Sequence, residues 1–134
     1  MSKLRGFTMI EVLLVAIIIA ILVSIAVPNY IQATERARAR EAISTLNAMM
    51  AAERTYNAER RTYLALTAAS NVEWEAIGME NPNLNAQRSF DYTLVVGGGG
   101  FTATATRQPG TAINAGETIA INQAGALDVS GWSP

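Results

Sequence analysis

The chain has no cysteine and no histidine in its 134 residues. The first absence excludes a disulfide framework, a thiolate metal site and a cysteine nucleophile, and the second removes the usual general base and the commonest zinc ligand. Most enzyme classes are disfavoured on this ground. Charge is also scarce: 16% of the residues are charged, against about 25% in an ordinary soluble domain. Ten Lys and Arg against 11 Asp and Glu leave a formal −1, which excludes a strongly basic nucleic-acid surface as a property of the whole chain. The 3 Phe, 4 Tyr and 2 Trp are too scattered to support electron conduction.

Apolar residues, by contrast, make up 50% of the chain and are concentrated near its start. No charge falls between Glu11 and Glu35, so Val12 to Thr34 is an uncharged run of 23 residues. That exceeds the roughly 20 needed to cross a bilayer as a helix. A secretory signal has a similar basic start, but its apolar region is about 7 to 15 residues long and ends in a small-residue cleavage site. Here the run continues through Val27-Pro28-Asn29-Tyr30 into a further helical pattern, which predicts a retained span. Lys3 and Arg5 should hold the N-terminus in the cytoplasm, although Arg36, Arg38 and Arg40 beyond the run weaken the charge asymmetry. Glu11, at the head of the run, costs up to about 3 kcal/mol if placed centrally in lipid, so a partner for it is expected. Pro28 lacks an N–H and is expected to kink or open the helix near Ser24.

The string Lys3-Leu4-Arg5-Gly6-Phe7-Thr8-Met9-Ile10-Glu11, followed by the apolar run and Pro28, closely resembles the N-terminus of type IV pilins and pseudopilins. The resemblance is specific over residues 3 to about 31 and only architectural beyond. It implies that a membrane-embedded prepilin peptidase cuts between Gly6 and Phe7 and methylates the new amine of Phe7. It also implies that Glu11 pairs with the Phe7 amine of a neighbouring subunit, and that an assembly ATPase and a platform protein extend the filament. Residues 1–6 would then be a leader, 7–30 a transmembrane and filament-core helix, and 31–134 a periplasmic or extracellular globular domain. Loss of Lys3 and Arg5 with the leader would leave 8 basic against 11 acidic side chains, a formal −3.

Beyond the run, Ala39, Ala42, Ile43, Leu46, Met49, Met50 and Tyr56 recur at helical spacing and predict a core-facing stripe. Glu35, Arg36, Arg40, Glu41, Glu53 and Arg54 are assigned to the opposite, solvated side. A helix from Phe7 to about Asn57 would be roughly 75 Å long. Phe90 to Val96 and Phe101 to Thr106 read as a hairpin around Gly97–Gly100, and Thr118 to Asn122 as a third strand. The segment from Glu59 to Asn85 is a connection with a turn of helix around Val72 to Ile77. The expected fold class is α+β: a long N-terminal helix, half membrane-spanning and half amphipathic, packed against a small antiparallel sheet of three or four strands.

Other constellations carry ordinary readings. Gly97–Gly100 lacks the Lys and Ser/Thr of a phosphate loop. Glu73 and Glu75 straddle Trp74 as in a solvated turn rather than a glycosidase pair. Asp128 stands alone, and no carboxylate cluster suggests a calcium loop, so no metal or cofactor is expected. Arg36, Arg38, Arg40, Arg60 and Arg61 suit solvated helix charge or intersubunit pairing better than DNA binding. Many pilins close a C-terminal loop with a disulfide; here Leu127, Val129 and Trp132 are expected to fix it by packing. The expected function is a pilus subunit of the inner membrane, assembled as a homo-oligomeric filament at the cell surface and with no catalytic role. A type II secretion pseudopilin is the alternative within the family, and a single-span anchored binding module that never polymerises is the alternative outside it.

Overall fold

The structure, a computed structural model, describes residues 6–109 and 116–133. Helix α1 runs Met9–Arg60, 52 residues, and a short α2 covers Val72–Ala76. A single 3₁₀ turn follows at Pro82–Leu84. Four strands come next: β1 Phe90–Gly97, β2 Gly100–Arg107, β3 Thr118–Asn122 and β4 Leu127–Asp128. They form one antiparallel sheet in the order β1-β2-β3-β4, so the expected α+β class holds with four strands. The chain divides into two compact units, Met1–Glu35 and Arg36–Pro134.

In the second unit, Ala39, Ala42, Leu46 and Met49 of α1 pack against Phe90, Tyr92 and Leu94 of β1, Phe101, Ala103 and Ala105 of β2, and Ile119 and Ile121 of β3. Alternate strand residues face this core because successive side chains point to opposite faces. Helix α1 ends three residues later than expected. Arg61 adopts φ 61° and its N–H donates to Asn57 O at 2.8 Å, an αL cap made without glycine. The hairpin turn is only Gly98-Gly99, both at positive φ, which matches the strand twist. Gly100 is already in β2, where a Cβ would overlap the Gln123 carboxamide. That carboxamide accepts from Phe101 N–H at 3.3 Å, and the Gln123 carbonyl accepts from Arg54 at 2.9 Å.

The connection is less of a bystander than its sequence suggests, because Leu66, Trp74 and Ile77 are all in the core. Trp74 is fully buried, and its indole N–H donates to Thr67 O at 2.8 Å. Two buried asparagines fasten the connection to the edge of β1. The Asn83 carboxamide accepts from Tyr92 N–H at 2.7 Å and donates to Tyr92 O at 2.9 Å, as a neighbouring strand would. Asn81 accepts from Asn83 and donates to Ala68 O, Ser70 O and Asn71. Leu66 and Leu94 exchange both backbone bonds one step further along the same edge. An exposed sheet edge is thus closed by side-chain and bridge pairing.

Two expectations about packing are corrected. Glu53 and Glu35 are buried rather than solvated, because 35, 39, 42, 46, 49 and 53 follow one another by three and four residues and so share a face. Glu53 Oε2 accepts from Leu64 N–H at 3.0 Å, which pins the chain just after the helix; burial pushes its pKa up, and that hydrogen bond only partly opposes the effect. At the C-terminus, Leu127 and Val129 are exposed, and of the three expected anchors only Trp132 packs against the core. Polar contacts do the rest. Asn122 Oδ1 accepts from Ala124 and Ala126 N–H, Thr118 N–H donates to Gly131 O, and Ser133 N–H donates to Glu117.

Replacing Asn83 with Ala leaves Tyr92 N–H and C=O without their partner, and should cost about 1–3 kcal/mol. Thermal unfolding in detergent, together with faster proteolysis between residues 61 and 89, measures it; an unchanged Tm and cleavage rate would contradict the clamp. A second expectation concerns pH. A buried carboxyl with a raised pKa binds its proton more tightly when folded, so its contribution to stability is full below the ordinary carboxylate value and lost as pH rises through the folded one. Wild-type Tm should therefore fall on going from pH 4.5 towards neutrality more steeply than that of Glu53→Gln, and parallel curves would contradict this.

Candidate assembly segment

Gly6, Phe7 and Thr8 precede α1 and are not helical, which leaves the Gly6–Phe7 peptide bond outside any hydrogen-bonded element. Phe7 is 83% exposed and Glu11 is exposed. Thr8 is the N-cap of α1. Its hydroxyl oxygen accepts from Glu11 N–H at 3.3 Å, and its carbonyl accepts from Val12 N–H. Thr8-Met9-Ile10-Glu11 is thus one half of a capping box, which the sequence carries as Thr-x-x-Glu. Glu11 lies in the first turn, where the helix dipole favours a negative charge.

From Val12 to Val27 a dozen large apolar side chains are each between 48% and 61% exposed, on every side of the helix. A helix apolar all round has no face to give to water. It is long and apolar enough to cross a membrane. Helix α1 continues on both sides of Pro28. Since Pro28 has no N–H, the Ser24 carbonyl receives no bond from it. Ser24 and Thr34 turn their hydroxyls inward, to Ile21 O at 2.7 Å and Tyr30 O at 2.9 Å, so this stretch presents few free polar groups. Lys3 and Arg5, with the other residues up to position 5, lie outside the described residues.

The remaining candidates do not converge. Glu75 is exposed, and Glu73 is held below the usual carboxylate range by the Ser70 hydroxyl. Asp128 is held low by Ser130, whose N–H and hydroxyl both donate to it. Among the described residues no group of three or more Asp or Glu could hold a metal ion.

Comparison with known proteins agrees with this segment. Residues 1–27 match the family model described as the prokaryotic N-terminal methylation motif. The chain is 41% identical over 59 residues to the type IV major pilin protein PilA of Myxococcus xanthus, covering 44% of this chain and 27% of that protein. It is 35% identical over 69 residues to the type IV wide pilus major component PilA4 of Thermus thermophilus, covering 52% and 53%. The chain thus spans about a quarter and about half the length of these two curated relatives. No solved structure gives a significant match. The resemblance to type IV pilins holds: the chain carries the prepilin-type methylation motif and is type IV pilin-like in sequence.

Proposed function

We propose that this chain is the structural subunit of a type IV pilus-like filament. The observation that carries the reading is a helix apolar on every side, headed by the methylation motif and joined to a domain with its own core. Residues 1–6 serve as the leader, and the peptidase cuts at the accessible Gly6–Phe7 bond and methylates Phe7. Residues 7–30 reside in the inner membrane with the N-terminus cytoplasmic, then form the filament core. Residues 31–134 make the globular domain outside the membrane. Glu11 pairs with the Phe7 amine of the next subunit, which gives a desolvated carboxylate the cation it needs. Such a contact joins different surfaces and does not close, so it propagates into an open filament. Pro28 loosens α1 at the end of the core segment. The platform protein and ATPase supply the work of extension, and the subunit performs no catalysis. Both curated relatives are named as pilus components, which favours a pilus over a secretion pseudopilin.

The test is expression of the chain with a prepilin peptidase and its assembly system. Mass spectrometry should find an N-terminal methylated Phe7, and electron microscopy should find filaments. Glu11→Ala should be cleaved normally yet yield no filaments, whereas an anchored module that never polymerises would keep its function. An N-terminus still at Met1 beside active peptidase would sink the reading.

A further inference from the structure

Arg36, Arg38 and Arg40 follow the uncharged run within six residues of Thr34, on the side of the membrane where the positive-inside rule disfavours them. Arg38 is half-buried and has an interaction of its own. Arg36 and Arg40 differ from it: both are exposed, and neither makes an ion pair among the described residues. They lie four residues apart in α1 and so share one helix face. A run of 23 residues outlasts the roughly 20 that fill the hydrocarbon core, so the residues just past it emerge in the headgroup layer. Two planar guanidinium groups there, on stems long enough to reach along the interface, match the geometry of a phosphate diester.

We propose that Arg36 and Arg40 form a binding site for the phosphate of an anionic phospholipid in the leaflet opposite the N-terminus. The site holds the subunit at a fixed depth before assembly. Its cost to orientation is offset by the headgroup contact. The inference rests on the membrane stage of the proposed function. Arg60 and Arg61, exposed at the far end of α1, carry the same charge without adjoining the run and serve as the control pair.

The test uses the full chain in membranes. Alkaline carbonate washing first shows whether the wild type is embedded. The chain is then taken into micelles containing equimolar phosphatidylglycerol and phosphatidylcholine, and retained lipids are counted by native mass spectrometry. The wild type should prefer phosphatidylglycerol by about fivefold for each engaged arginine, and the preference should fade at high salt. Arg36→Gln with Arg40→Gln should abolish it, and Arg60→Gln with Arg61→Gln should leave it intact. An embedded wild type with no preference, or one lost equally in both double variants, overturns the lipid site and leaves the pilin reading standing. A wild type washed out of the membrane overturns that reading itself.

Discussion

A surface that water cannot accept governs the rest of this protein. Between Val12 and Val27 a dozen large apolar side chains encircle one helix, each about half exposed in the isolated chain. Completing their burial is worth on the order of 1 kcal/mol apiece, or about 10 kcal/mol together, comparable to the whole stability of a domain. The segment therefore needs a cover, and under the proposed function that cover is first lipid and then copies of itself. Exchange between those two covers leaves the apolar term nearly unchanged, because lipid tails and packed side chains are alike in polarity. What decides between them is then polar: the few charged groups at the margins of the run.

The second unit solves the opposite problem, that of holding a small core together without covalent help. Its sheet has four strands, one only two residues long, and it contains no disulfide. Hydrogen bonds from carboxamides stand in for missing structure. Asn83 plays the part of a fifth strand beside Tyr92, Asn122 accepts two N–H groups in the β3–β4 turn, and Gln123 locks the hairpin to α1 through Arg54. Each places polar groups where burial alone could not fix the backbone, and the buried Asn83 carboxamide is tolerable because it is so satisfied.

Elements with a period were legible in the sequence, and elements without one were not. The run from Val12, the stripe of Ala39, Ala42, Leu46 and Met49, and the alternating strands around Gly98-Gly99 all repeat at the spacing of their own backbone. Glu53 was hidden by its chemistry rather than its position: the spacing placed it on the core face, and its charge argued it away. Trp74, Leu66 and Ile77 lie in a connection with no repeat, so nothing local marks them as core. Asn83 acts through Tyr92, nine residues away, and such a pairing shows only once the chain is folded. Of the candidate assembly segment, Gly6, Phe7 and Glu11 could be named from the sequence, and the Thr8 cap was legible there too as Thr-x-x-Glu.

Two of the acids on apolar faces of α1, Glu53 and Glu11, illustrate how one residue type serves opposite ends. Glu53 has its hydrogen-bond donor within the chain, at Leu64, and is sealed into the core, so it acts on the fold alone. Glu11 stands exposed at the head of a run that is apolar on every side. Its backbone N–H donates to the Thr8 hydroxyl, which fixes the first turn. A carboxylate carried with that run into lipid or a filament loses its water and acquires a need for a cation. The apolar term being nearly indifferent between the two covers, that need is the term able to favour the filament under the proposed function.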